Sequence, residues 1–148
     1  MIDWPPVLSA VHLIGVALGV GSATVKLVLL LRCHADSAFA LAFLKVSRPI
    51  TRLIIIGMIL LALSGIGWIV LGQGFTPRLI VKLVLFAAIW VLGPIIDNVV
   101  EPRFQKLATG PGGPAAPAFG GALKQYLAWE ITATALFYVI ILVWVLHS

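Results

Sequence analysis

The 148-residue chain is 61% hydrophobic and 10% charged, whereas a typical soluble domain has about 25% charged residues. With a mean hydropathy of +1.15, this composition excludes an ordinary soluble enzyme and places the chain in a membrane. The net charge of +5 does not indicate a nucleic-acid partner, because the basic residues follow the connections between apolar segments. The single cysteine, Cys33, excludes an internal disulfide.

Four segments are apolar and long enough to cross a hydrocarbon core of about 30 Å, at about 1.5 Å per helical residue. We therefore predict an all-α, integral membrane four-helix bundle that forms a single domain over residues 1–148. The predicted spans lie at about 7–31, 49–71, 78–100 and 124–147. The first segment has no basic region before it and no convincing cleavage site, which favours a retained span over a signal peptide.

Basic residues cluster beside the first and third connections and are nearly absent from the second. They are Arg32, Lys45, Arg48, Arg52, Arg103, Lys106 and Lys124. The positive-inside rule then predicts a multi-pass protein of the bacterial inner (cytoplasmic) membrane with both termini on the periplasmic side. Attraction of these residues to anionic membrane lipid is a weaker, secondary effect.

The two basic connections differ in composition. The first contains AFALAFLKV, whose apolar repeat predicts a short interfacial amphipathic helix before the second helix begins at Pro49. The third, at about 109–121, is rich in Gly, Pro and Ala, which predicts a flexible cytoplasmic loop.

The first span carries a histidine and a lysine on one face. His12 and Lys26 are fourteen residues apart, which separates them by about 40° on a helix. Gly15, Gly19 and Ser22 lie between them on the same face. Because small residues let helices approach closely, we expect this face to point into the bundle.

Ionisable side chains within spans are costly and need partners. The predicted topology places Lys26 and Glu130 at one depth toward the cytoplasmic side, with Asp97 close to them. We therefore predict a structural ion pair between Lys26 and Glu130, joined by Asp97. The alternative is that Lys26 and Glu130 extend independently to the lipid headgroups.

His12 and Lys82 fall at one depth toward the outer side, where Asp3 at the terminus is the only carboxylate. Two potential cations without an acidic partner predict an anionic ligand that carries carboxylates. Histidine is also a usual axial ligand of haem iron, so His12 is the candidate metal ligand and haem b the candidate cofactor. Met58 and Trp90, both near mid-span, are further candidate cofactor contacts. The alternative for His12 is a hydrogen bond between helices.

Several stretches together resemble a known family. LKVSRPITRLIIIGMILLALSGIGWIV joins a basic connection to a helix with a central MIL, and Lys82, His12 and Glu130 lie in PRLIVKLVL, HLIG and QYLAWEITATALFYVIIL. These features resemble the small four-span membrane protoporphyrinogen oxidases of the HemJ type and the copper-resistance D-type proteins. GVGSATVKLVLLLR is more similar to uncharacterised four-span bacterial relatives of both.

The resemblance implies a bundle that binds haem or a porphyrin. His12 would be a haem or substrate contact, and Lys82 a partner for propionates. For the enzyme proper, it implies a membrane oxidoreductase that oxidises protoporphyrinogen and passes electrons to the membrane. The alternative is a non-catalytic auxiliary subunit whose small-residue face, with Gly15 and Gly19, docks on a larger membrane complex. A homodimer is compatible with either hypothesis.

Overall fold

The computed structural model describes residues 3–146, which form helices joined by short turns, and the described range contains no strand. The helices are α1 (Trp4–Ala35), α2 (Ala40–Val70), α3 (Pro77–Ile95), α4 (Glu101–Thr109) and α5 (Pro117–Val145). A π-helical turn at Ile96–Val100 joins α3 to α4 without a break. Four stretches are therefore long and apolar enough to cross a membrane, which confirms the predicted all-α membrane bundle. The predicted end of the last span, at residue 147, lies outside the described residues.

The predicted start of the second helix at Pro49 is wrong. The helix α2 begins at Ala40 and continues through Pro49, so AFALAFLKV leads directly into it and does not form a separate interfacial helix. A proline inside a helix removes one backbone hydrogen bond. The residues before it are strong helix formers such as Ala, Leu and Lys, and they keep the helix continuous.

The third helical stretch is longer than predicted and the loop after it is shorter. Helical structure continues from α3 to Thr109, past the predicted end at residue 100. The helix α5 already begins at Pro117, where the missing N–H of proline needs no partner. The predicted loop at 109–121 therefore reduces to a short connection that contains a 3₁₀ turn at Gly113–Ala115.

Glycines hold α1 and α2 in close contact. Gly15 and Gly19 are buried and face Gly57 of α2. A Cβ atom on Gly57 would lie 2.6 Å from Gly19 Cα and 2.8 Å from the backbone oxygen of Gly15. The small-residue face that we expected on α1 thus packs inside the chain, and these two glycines are not available to another protein.

The helices α2 and α3 barely touch each other, while α5 packs against both α1 and α3. A cavity of about 420 Å³ occupies the gap. Its apolar walls include Ile54 and Met58 of α2, Ile89 and Trp90 of α3, and Phe137 of α5. We call this cavity the α2–α3 cleft.

The basic residues that flank the first and third connections are all exposed, and they lie where α1 leads into α2 and α4 into α5. We call this the basic end, and the opposite one, with Trp4 and Val145, the terminal end. Beneath the basic end, Phe43, Phe104 and Tyr126 are fully buried. Their rings meet edge to face, with 5.4 Å between the centroids of Phe104 and Tyr126. This aromatic core holds α2, α4 and α5 together beside the chain's buried charges.

Candidate functional site

Three of the chain's five carboxylates converge on one buried lysine. Lys26 Nζ lies 2.9 Å from Glu130 Oε1, 3.1 Å from Glu101 Oε2 and 3.4 Å from Asp97 Oδ1. The side chain of Lys26 is only 2% exposed, so it points into the bundle and does not extend to the lipid headgroups. We call these four residues the Lys26 cluster. The cluster brings together Lys26 and Glu130, the predicted ion pair, and Asp97, which was predicted to join them.

Glu101 belongs to the cluster but lies beyond the predicted end of the third span. Its Oε2 accepts a hydrogen bond from Tyr126 Oη at 2.6 Å, and its Oε1 accepts one from Ser47 Oγ at 2.9 Å. On the other side of the cluster, Lys26 Nζ donates to Thr51 Oγ1 at 3.0 Å. Hydrogen bonds to an ionised group are stronger than those between neutral groups. Glu101 is therefore fixed from both α2 and α5.

The π-helical turn at Ile96–Val100 positions two of the carboxylates. Pro94 precedes this turn and Pro102 follows it, and neither residue has an N–H for regular α-helical bonding. The backbone N–H of Glu101 instead donates to the carbonyl five residues earlier, the bonding pattern of a π-helix. Asp97 and Glu101 both reach Lys26 from this widened part of the helix.

The cluster lies between two cavities. Lys26, Asp97 and Glu130 line the α2–α3 cleft, at its end nearer the basic end. Asp97 and Glu101 also line a second cavity of about 230 Å³, together with the exposed Arg48 and other polar side chains. We call this second cavity the basic-end cavity. Asp97 thus contacts both spaces.

His12 is exposed, yet its side chain reaches the buried Ser64 of α2 and so makes the hydrogen bond between helices that was its alternative role. Its Nδ1 lies 2.9 Å from Ser64 Oγ, and Ser64 Oγ donates its own proton to the carbonyl of Leu61 at 3.0 Å. In this arrangement the hydroxyl accepts from His12 Nδ1–H, the tautomer that leaves the lone pair on Nε2. Lys82 is partly exposed and lies within electrostatic range of His12.

The four predicted cofactor contacts form two pairs at different depths. Met58 and Trp90 line the cleft, whereas His12 and Lys82 lie beyond it toward the terminal end. Ser64, the partner of His12, is six residues from Met58 on α2, or about 9 Å along the helix axis. His12 and Met58 therefore lie at levels about 9 Å apart along α2. Within residues 3–146, no group of three or more His, Cys, Asp or Glu side chains is placed to hold a metal ion.

The hydroxyl of Tyr126 offers a direct test of the cluster's hydrogen bonds. We expect Tyr126→Phe to lower the free energy of unfolding by about 1.5–3 kcal/mol, because Glu101 loses a donor to a buried charged group. Tyr138→Phe is the matched control, since the Tyr138 hydroxyl lies 2.9 Å from Thr24 Oγ1 at an exposed site. Its expected cost is about 0.6 kcal/mol. Circular dichroism during unfolding by a denaturing detergent measures the free energy of unfolding of both variants. Equal losses in the two variants would contradict a buried hydrogen bond from Tyr126 to Glu101.

Comparisons with known proteins return no relative of this chain. No family model matches it. No curated protein matches it either, and no solved structure is similar to it. The likeness to the HemJ-type oxidases therefore stays a prediction from short motifs, and the chain is placed by its architecture alone, as a multi-pass membrane protein of four helical spans.

Proposed function

We propose that the protein binds a flat, anionic amphiphile of the porphyrin or haem class between α2 and α3. The observation that carries this proposal is the α2–α3 cleft, an apolar cavity within the bundle that has Met58 and Trp90 on its walls. His12 and Lys82 lie on the terminal side of this cavity and offer an imidazole nitrogen and an ammonium group. Ligand pockets commonly combine such apolar walls with a few polar groups.

The charges favour one orientation of the ligand. The inner end of the cleft is formed by the Lys26 cluster, in which carboxylates outnumber the single ammonium group. Ligand carboxylates are repelled there and attracted to Lys82. The ring system then lies against Trp90 and Met58, with its acidic edge toward the terminal end.

The residues present are suited to haem b through one side chain. His12 Nε2 has its lone pair available, and the hydrogen bond from Nδ1 to Ser64 fixes the ring, as second-shell partners of metal-bound histidines do. A bound haem would supply one-electron redox chemistry. If the protein is an enzyme, the resemblance implies an oxidoreductase that acts on a porphyrinogen. We further propose that the basic end faces the cytoplasm of a bacterial inner membrane, as the positive-inside rule predicts.

An absorption spectrum of the purified chain, expressed with ample haem, tests this proposal. We expect a Soret band, and sharper α and β bands after reduction with dithionite. His12→Ala should abolish these bands because it removes the iron ligand. His34→Ala is the matched control, since His34 is exposed at the end of α1 near the basic end, and it should leave the spectrum unchanged.

A wild-type spectrum without visible bands excludes haem and leaves the metal-free porphyrin to be tested. Titration with protoporphyrin, followed by quenching of tryptophan fluorescence, then measures affinity. Lys82→Gln should weaken binding about tenfold, the loss of one charge-assisted contact. Lys124→Gln, at an exposed site near the basic end, should not change it. An absence of quenching, or equal affinities in the two variants, refutes the proposal.

A further inference from the structure

The members of the Lys26 cluster differ in their access to solvent. The side chain of Asp97 is 29% exposed and lines the basic-end cavity, whereas that of Glu130 is 4% exposed and lines the α2–α3 cleft. Lys26 Nζ lies between them, within 3.4 Å of one carboxylate and 2.9 Å of the other. The three side chains thus form a continuous polar path from the basic end to the cleft.

The charges of the cluster are unbalanced in a way that suits proton uptake. One ammonium group faces three carboxylates, and each uncompensated charge inside a membrane protein costs several kcal/mol. Glu101 accepts hydrogen bonds from Ser47 and Tyr126. Glu130 Oε1 is buried and lies 2.9 Å from Lys26 Nζ, and it accepts no hydrogen bond from a neutral donor of the described residues. Glu130 is therefore a carboxylate that lines the cleft and lies within reach of a proton from Lys26.

We propose that the Lys26 cluster transfers protons between the basic end and the α2–α3 cleft. A proton from the basic-end cavity binds the carboxylate of Asp97. Lys26 then gives one of its protons to Glu130 and takes the proton from Asp97, so that the ammonium group is restored. Glu130 presents the proton to the cleft, and the reverse sequence returns it. No electrons are transferred, and the step does not depend on which ligand the cleft binds.

All packed elements contribute charged or titratable groups to this region. They are Lys26 from α1, Arg48 and Arg52 from α2, Asp97 from the π-helical turn, Glu101 from α4, and Tyr126 and Glu130 from α5. The two arginines line only the basic-end cavity and lie outside the path to the cleft. The exchangeable proton is therefore held among the carboxylates and Lys26.

Infrared spectroscopy of the full chain in lipid bilayers tests the transfer without any ligand. At a pH low enough for the cluster to have taken up a proton, we expect the C=O stretching band of a buried carboxylic acid, which Glu130→Gln removes. In Asp97→Asn this band should remain. The rate at which it shifts after transfer into D₂O, which reports hydrogen–deuterium exchange at the acid, should fall about a hundredfold. A loss of this size is typical when a positioned proton carrier is removed. Asp97→Glu should restore the rate, because it restores the carboxylate.

Two further variants separate proton transfer from structural damage. Asp36→Asn removes an exposed carboxylate outside the cluster and should change neither the band nor the exchange rate. Gln105→Trp narrows the basic-end cavity from a side chain outside the cluster, and it should slow the exchange while the band is kept. The proposal is overturned if the band survives Glu130→Gln. Wild-type exchange rates in both Asp97→Asn and Gln105→Trp would overturn it equally.

Discussion

Replacing Lys26 with methionine is expected to lower the free energy of unfolding by about 3–5 kcal/mol, the usual cost of removing one partner from a buried ion pair. The ammonium group contacts three carboxylates, and two of them, Glu101 and Glu130, are buried. Methionine fills a similar space but leaves these groups without a cation. Unfolding by a denaturing detergent, monitored by circular dichroism, measures the loss. Lys45→Met is the control, because Lys45 is exposed, and it should change stability by less than about 0.5 kcal/mol.

A second substitution shows whether the loss is electrostatic. Glu130→Gln alone should cost less than Lys26→Met, because Lys26 keeps two carboxylate partners. Combined with Lys26→Met, it should recover part of the lost stability, because one uncompensated charge is removed. The two residues are in contact, so a double-mutant cycle should give a coupling energy of about 0.5–3 kcal/mol. Additive effects, or a Lys26→Met variant as stable as Lys45→Met, would refute the buried ion cluster.

Gly57→Ala is expected to cost about 1–3 kcal/mol, although alanine is the better helix former. The added methyl group would meet the backbone of Gly19 and Gly15, which cannot move without separating α1 from α2. Gly65→Ala is the matched control on the same helix, because a Cβ there meets no atom within 4 Å. That variant should gain up to about 1 kcal/mol from helix propensity.

The same unfolding measurement compares the two glycine variants. The comparison removes the shared effect of replacing glycine with alanine in a helix, and leaves only the contact with α1. A Gly57→Ala variant as stable as Gly65→Ala would show that α1 and α2 are not in close contact at this position.

The number of helices and the partners of Lys26 follow from simple properties of the sequence. Hydrophobic length sets the number of spans, and a rise of about 1.5 Å per residue sets the depth of each charge. Lys26, Asp97 and Glu130 therefore fall at one level before any packing is known. Composition and charge distribution are sufficient for this part of the site.

Glu101 could not be found in the same way, because the apolar window ends at residue 100 and Pro102 then suggests a loop. The helix nevertheless continues through a π-helical turn, which hydropathy does not reveal. Two spacings in the sequence could have indicated Glu101. Asp97 and Glu101 are four residues apart, as are Tyr126 and Glu130, and this spacing places the members of each pair on one helix face. The exposure of His12 was missed for another reason. Helical periodicity identifies which residues of α1 share a face, but only the packing of the other helices determines which part of that face is covered.

The gap between α2 and α3 also determines how a ligand of the proposed class would arrive. Since these helices barely touch and Trp90 is 44% exposed, the cleft opens at the side of the bundle, where acyl chains would lie in a bilayer. A molecule that enters by this route must first partition into the bilayer. Occupancy is then governed by its mole fraction in lipid, so that apparent affinities vary with the lipid-to-protein ratio of the sample. Under the proposed function, the membrane is the solvent from which this protein would take its ligand.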